Sequence, residues 1–342
     1  MKGIILHGGH GTRLRPLTFA RPKQLLPIAN IPMSQYGLEL LREAGIKDIA
    51  IIIGGNNSSK VRDYYGDGNS FGVNITYVEQ DEPKGISHAI GLCEDFIGNE
   101  KFVVFLGDNI LLKSITEYVS EFEKSNDEAK ILLSKVSNPN QFGIADITND
   151  GKIKKIIEKP NEPPTDLAVI GVYFLTPVIF DVIKKLKPSW RDELEITDAL
   201  QNLLELKKQI SYEIITNYWK DTGMIDDIID ANKIILENMY KDNENIMIGK
   251  NVQIDQNSKL IYPVLIGDNC IIEGKSVIGP NVSIGSNTYL KNCTIQNSII
   301  MNNCLIHSDI LLDNCIIPYN STITSKNEKK SFLLCENSKL EL

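Results

Sequence analysis

Two hydrophobic periods run along this chain, and one gives way to the other near residue 240. In the first part, short apolar runs at Lys2–His7, Asp48–Gly54, Asn74–Gln80 and Phe102–Gly107 alternate with stretches of helical spacing at Met33–Ala44, Ser59–Tyr65 and Ser87–Phe96. Runs that are apolar throughout predict strands buried on both faces, and their alternation with helices predicts an α/β fold with a mainly parallel, doubly wound sheet. Strand-like runs dominate from Lys130 to Phe174, which predicts an added β region. Ile196–Lys207 and Met224–Tyr240 then read as helices.

After the polar linker Lys241-Asp242-Asn243-Glu244-Asn245 the period changes. Ile248, Ile254, Leu260, Ile266, Ile272, Ile278, Ile284 and Leu290 follow one another at intervals of six. Six matches neither a helix nor a simple strand. It is the hexapeptide repeat of a left-handed parallel β-helix, in which each unit forms one face of a three-sided prism and its aliphatic residue fills the interior. Asn and Gly between the units supply corners with positive φ. From Asn292 the interval becomes eleven, with Asn-Cys starting at 292, 303 and 314, which reads as two faces with one shortened corner. The expected organisation is therefore an α/β domain over 1–240, a β-helix over 246–325 and a cap or tail over 326–342.

Composition narrows the function. The chain has 342 residues, 42% hydrophobic and 23% charged, with a net charge of −8. An acidic surface is poorly suited to gripping a polyanion along its length, so nucleic acid is not an expected partner. No apolar run approaches the ~20 residues of a membrane span, and no membrane association is expected. The start of the chain lacks a signal-peptide pattern. Six cysteines occur without a CxxC pair, which predicts reduced thiols, no zinc site and a cytoplasmic location.

The candidate chemistry begins where the first strand ends, at Gly8-Gly9-His10-Gly11-Thr12-Arg13-Leu14-Arg15-Pro16. Three glycines allow a tight turn whose N–H groups face phosphate oxygens, and Arg13 adds a permanent cationic fork. The spacing fits neither GxGxxG nor the GK[ST] of a P-loop. In Arg21-Pro22-Lys23-Gln24-Leu25-Leu26-Pro27, a lysine between prolines supplies a second candidate phosphate contact.

Together, GGHGTRLRPLT and RPKQLLPIANIPM resemble the nucleotide-binding motif of the sugar-1-phosphate nucleotidyltransferases, most closely the long-form glucose-1-phosphate thymidylyltransferases. The resemblance covers residues 1 to about 240, and the hexapeptide tail matches the long form. It implies a Rossmann-like catalytic domain, Mg²⁺, and conversion of dTTP and glucose 1-phosphate to dTDP-glucose and pyrophosphate. Alternatives are UTP or another hexose 1-phosphate, and a bifunctional enzyme with an aminosugar-1-phosphate acetyltransferase in the β-helix.

The resemblance also assigns residues. Asp108, in Gly107-Asp108-Asn109, and Asp221, in Trp219-Lys220-Asp221-Thr222-Gly223, are the implied metal ligands. Without it, each aspartate reads equally well as a turn or cap residue. Ile156-Ile157-Glu158-Lys159-Pro160 implies that Lys159 contacts the sugar phosphate and Glu158 the sugar. Phe142, Gly143, Gly171 and Arg191 fall on further sugar-site segments. Gln80 and Gly85 fall on the base-reading part, with Leu6 and Gly8 below the base. A Gln amide offers both a donor and an acceptor, as the O4/N3–H edge of thymine or uracil requires. Gly8, Gly9, Gly11 and Thr12 complete the nucleotide loop. His7 and His10 are open between ligand contact and tolerated replacement, and no catalytic histidine is required.

The expected mechanism is in-line attack of the sugar phosphate on the α-phosphorus, driven by positioning and charge. Arg13, Lys23, Asp108, Lys159 and Asp221 form the catalytic set. A non-catalytic sensor on this fold loses such residues, whereas this chain retains them. Hexapeptide acyltransferases use a histidine base between coils; His307 occupies a slot matched by Gln296 and Pro318, so the β-helix is expected to serve assembly of a homo-oligomer or packing.

Overall fold

A computed structural model describes all residues except His10, Asn56, 243–246, 325–333 and Leu342. Part of the expected linker and the start of the expected tail lie outside the described residues. The chain forms two compact units, Met1–His10 with Ser34–Asp221, and Gly11–Met33 with Thr222–Leu342.

The first unit is built on a sheet of mixed direction. Phe102–Leu106, Lys2–Leu6, Asp48–Ile53 and Asn74–Glu79 lie parallel in that order. Ile4, Ile5, Ile51 and Val104 are fully buried within it, as strands apolar on both faces require. Beyond Phe102–Leu106, Leu167–Leu175 joins antiparallel, and Ala129–Lys135 pairs antiparallel with its other side. Gly143–Ile147 and Ile153–Glu158 form an antiparallel hairpin, and Ile210–Ile214 runs parallel to Ala129–Lys135. The expected parallel sheet is present in the four strands from the alternating runs, and the added β region expected from Lys130 joins it antiparallel, so that the whole sheet is mixed. The turn between Ile147 and Ile153, closed by Thr148 N–H donating to Lys152 O (2.8 Å), leaves no room for the crossover that parallel strands need.

One helix departs from expectation. The helical spacing over Ser87–Phe96 is realised as two separate helices, Ile86–Gly91 and Glu94–Ile97. Gly91 is a weak helix former, and Cys93 leaves the helical region (φ −94°, ψ 7°) with its side chain fully buried.

In the second unit, Gln253 pairs with Ile271 and Ile271 with Tyr289, so each turn of the prism takes eighteen residues, three units of six. Tyr289 then pairs with Leu305, sixteen on, and Leu305 with Thr322, seventeen on. The shortening follows the interior positions Leu290, Ile295, Ile300, Ile306, Leu312, Ile317 and Ile323, which are buried and separated by five or six. The Asn-Cys motif therefore recurs every two faces.

One prism corner carries an asparagine ladder. Asn251, Asn269, Asn287, Asn303 and Asn320 each donate from Nδ2 to Oδ1 of the next, ending on Asn337, at 2.8–3.2 Å. All six have φ between 58° and 66°, the left-handed region that Asn tolerates better than most L-residues. The first coil differs from the repeat rule. Ile248 and Ile254 are 40% and 36% exposed, whereas Ile266 and Ile272 are buried, because no described coil stacks against the first on its outer side.

The segment Gly11–Met33 belongs to this second unit. Asn30 Nδ2 donates to Ile284 O (2.8 Å), and Asn232 Oδ1 accepts from Ala29 N (2.9 Å) and Ser283 Oγ (2.9 Å). Arg21 forks onto Glu336 (Nε–Oε2 3.1 Å, Nη2–Oε1 3.2 Å) and lies 4.0 Å from the centre of the Tyr319 ring.

Candidate functional site

In the first unit the short strand Asn109–Leu111 pairs antiparallel with Trp219–Asp221, and the register sets Asp221 directly opposite Asn109. Two aspartates far apart in sequence, Asp108 and Asp221, therefore share one sheet end. Asn109 is buried and organises this corner. Its Oδ1 accepts from Trp219 Nε1 (2.7 Å) and Gly171 N (3.3 Å), and its Nδ2 donates to Asp108 Oδ1 (3.1 Å). Gly171 leaves no space for a side chain, since a Cβ would fall 2.7 Å from Asn109 Oδ1 and 2.8 Å from Leu106 Cδ1.

Asp108 and Asp221 offer hard carboxylate oxygens to a metal. Among the described residues no group of three or more His, Cys, Asp and Glu is poised to hold one. Two carboxylates fit a cation that keeps several waters and takes further ligands from phosphate, which is the habit of Mg²⁺ and not of zinc. The surroundings are strongly acidic. Burial first, and then Glu158, Asp108, Asp221 and Glu195, drive the buried Tyr173 hydroxyl pKa upward.

A second group gathers around Glu158. Its Oε2 accepts from Thr197 Oγ1 (3.0 Å), while Arg191 Nη1 and Lys159 Nζ lie 3.5 and 3.8 Å from its Oε1. Arg191 also reaches Glu195 (3.2 Å) and Glu193 (3.2 Å). Burial, then the neighbouring Glu158, raises the Glu195 pKa. Lys159 stands at φ 39°, unusual for a residue with a side chain, and its N–H donates to Phe142 O (3.1 Å). The Phe142 ring meets Trp219 edge to face at 5.7 Å. At Gly143 a Cβ would sit 2.4 Å from Thr197 Cγ2. Phe142, Gly143, Glu158, Lys159 and Arg191 are thus brought together, with Gly171 tied to Asn109.

A third group surrounds Gln80, which is buried. A Cβ on Gly8 would lie 3.2 Å from Gln80 Oε1, and one on Gly54 only 2.5 Å from Gln80 O. Gly85 (φ 101°) sits against the Leu194 backbone, where a Cβ would meet O at 2.6 Å. Leu6 ends the first strand, its carbonyl accepting from Gly107 N (3.0 Å). His7 is buried, and neither ring nitrogen has a partner among the described residues. Burial lowers its pKa to about 3, with Asp108 opposing weakly, so the imidazole is neutral at working pH. His10 lies outside the described residues.

The remaining loop residues follow the glycine reading in conformation. Gly9 and Gly11 have φ 91° and 58°. In the second unit, Gly11 O accepts from Thr18 Oγ1 (2.8 Å) and begins the 3-10 turn Thr12–Leu14. Thr12 and Arg13 are exposed, and the Arg13 guanidinium flanks Gly223, with Nη2 3.1 Å from where a Cβ there would be. Lys23 opens a second 3-10 turn, Lys23–Leu25, fixed at its start by Pro22.

Sequence reasoning gave no role to Asn109, Thr197, Glu195, Gly54 or His88. Asn109 stood within a quoted motif, but nothing local shows that its amide serves three elements. The exposed His307 lies on Leu305–His307, a strand paired with Tyr289–Lys291 and Thr322–Thr324. No described helix is long and apolar enough to cross a membrane.

Residues 2–238 match the nucleotidyl transferase family, and 260–339 match the GMPPB C-terminal domain. The low-salt glycan biosynthesis nucleotidyltransferase Agl11 of Haloferax volcanii is 40% identical over 310 residues, 87% of each chain. A glucose-1-phosphate thymidylyltransferase of Streptomyces antibioticus is 37% identical, with 100% of this chain and 99% of its own covered. A solved Bacillus anthracis chain, described as a glucose-1-phosphate thymidylyltransferase in complex with a sucrose, is 44% identical with a TM-score of 0.65, covering 68% of this chain and 94% of that one. By its sequence, its mixed α/β sheet and its hexapeptide β-helix, the chain belongs to the nucleotidyl transferase family of enzymes that use sugar 1-phosphates.

Proposed function

We propose that the protein is a cytoplasmic, Mg²⁺-dependent glucose-1-phosphate thymidylyltransferase, converting dTTP and glucose 1-phosphate to dTDP-glucose and pyrophosphate. The observation that supports the reading is the strand register that sets Asp221 opposite Asn109, the residue after Asp108, in a chain similar over its whole length to an enzyme of that name. A phosphate oxygen of the sugar phosphate attacks the α-phosphorus in line, and the bond to pyrophosphate breaks. No enzyme residue becomes covalently bound. Lys159 holds the attacking phosphate with Arg191 near it, Glu158 contacts the sugar, and Phe142, Gly143 and Gly171 shape its pocket. Arg13 and Lys23 offset charge on the nucleotide phosphates, with Gly8, Gly9, Gly11 and Thr12 as backbone donors. Leu6, Gln80 and Gly85 receive the base. Asp108 and Asp221 would hold Mg²⁺ through their carboxylate oxygens, and the ion would supply charge neutralisation for the phosphates.

Residues 1–240 are the catalytic domain, 246–325 the β-helix and 326–342 a cap or tail, and the β-helix serves assembly of a homo-oligomer or packing. Six unpaired cysteines support a reducing compartment. Pyrophosphate release is measured for dTTP, UTP, GTP and ATP against glucose, mannose and glucosamine 1-phosphates, with and without EDTA. The dTTP–glucose 1-phosphate pair is expected to lead, and Asp221→Asn to lower its turnover by orders of magnitude. Higher kcat/KM with UTP or another sugar, or turnover in EDTA, overturns the respective part.

A further inference from the structure

Gln80 is the candidate reader of the base, and an amide can face a ligand in two ways. Rotated by 180°, it exchanges its acceptor and its donor. One orientation matches thymine or uracil, which offers N3–H and O4; the other matches cytosine, which offers N3 and N4–H. Something must therefore hold the amide.

Gln80 Nε2 lies 3.0 Å from His88 Nδ1, on the first turn of the helix Ile86–Gly91. In this orientation the amide nitrogen donates, so Nδ1 accepts, which is the tautomer with the imidazole proton on Nε2. One amide hydrogen is thereby used. The other, together with Oε1 on the side of Gly8, stays available as a donor–acceptor pair. Among the described residues Oε1 takes no protein hydrogen bond, and Gly8 leaves the space beside it without a side chain. The helix that carries His88 is itself fixed. Ser87 N donates to Leu194 O (3.0 Å), Leu194 N to Lys84 O (2.8 Å), and Ser87 Oγ to Glu195 O (2.9 Å). Burial first, then Lys84, lowers the His88 pKa against the opposing Glu82, which favours the neutral ring.

We propose that His88 is a specificity-determining positioning residue, whose Nδ1 locks the Gln80 amide in the orientation that accepts a base with N3–H and O4 and rejects cytosine. The inference rests on Gln80 lying at the base, as in the functional reading above.

The test compares wild type, His88→Leu and His88→Gln at saturating glucose 1-phosphate, with dTTP, UTP and dCTP varied. Gln at position 88 can still present an acceptor, whereas Leu cannot. In His88→Leu the KM for dTTP is expected to rise about five- to tenfold, with kcat within twofold. The dTTP:dCTP ratio of kcat/KM falls by a similar factor, and His88→Gln recovers most of both. Because His88 is partly exposed, both variants are expected to fold, and circular dichroism melting verifies this. Equal discrimination in all three proteins overturns the assignment, as does a loss of kcat at unchanged KM. Thermal-shift titration with dTTP and dCTP separates the two levels of failure. A wild type stabilised equally by both nucleotides refutes base reading by Gln80 itself. A wild type that discriminates, beside a His88→Leu that discriminates equally, refutes only the role of His88.

Discussion

Replacing Asn109 with Leu asks whether one buried amide holds the carboxylate corner together. The side chains are close in volume, so little cavity is created. What changes is hydrogen bonding. Trp219 Nε1–H, now 2.7 Å from its acceptor, and Gly171 N–H, at 3.3 Å, both lose Asn109 Oδ1. A buried donor left without a partner costs about 1–3 kcal/mol, and the longer Gly171 bond belongs at the low end. The expected loss is about 2–4 kcal/mol. For a unit of roughly 150–250 residues each kcal/mol moves Tm by about 2–4 °C, so a fall of roughly 4–16 °C is expected by differential scanning calorimetry. Trp219→Phe removes the stronger donor along with its need for an acceptor, and should cost less. In the double variant the orphaned indole N–H no longer exists, so the two effects should sum to less than the singles by about 1–2 kcal/mol. A Tm within 2 °C of wild type for Asn109→Leu, or strict additivity in the cycle, would show that Asn109 is not the organiser.

Three other outcomes are open to direct measurement. Lys159→Ala should raise the KM for glucose 1-phosphate about tenfold or more with little change for dTTP, and Lys23→Ala should do the reverse; like effects on both substrates would remove the separate sub-sites. Glu336→Gln leaves the half-buried Arg21 without its charged partner, costing about 2 kcal/mol, and unchanged melting would show that the Arg21–Tyr319 stacking suffices. Burial pushes the thiols of Cys93, Cys293 and Cys304 up to about 12, 11 and 11, whereas Cys335 is exposed. A disulfide reagent at pH 8 should therefore find one fast thiol that vanishes in Cys335→Ser, and a second fast thiol would contradict the described burial.

The sequence by itself determined those features whose cause is local. An aliphatic residue every sixth position fits a prism interior and little else, and Asn at the corners already announced positive φ, as nine asparagines among the described residues of 246–325 show. The apolar runs Lys2–His7 and Phe102–Gly107 became central strands for the same reason, since burial on both faces leaves its mark on consecutive residues. The glycine loop was legible because Gly9 and Gly11 take positive φ, which side chains disfavour. Tertiary structure alone decided what depends on register and on contacts between distant segments. Asp221 stands opposite Asn109 because two three-residue strands align in one of several possible registers, and no period records that choice. The amide of Asn109 serving Trp219, Gly171 and Asp108, the gathering of Arg191, Glu195 and Thr197 about Glu158, and the grip of His88 on Gln80 are likewise invisible in any window of sequence. Ile254 shows the limit from the other side. It keeps the repeat faultlessly yet stays partly exposed, because burial in a prism needs a coil on each side and a terminal coil has only one.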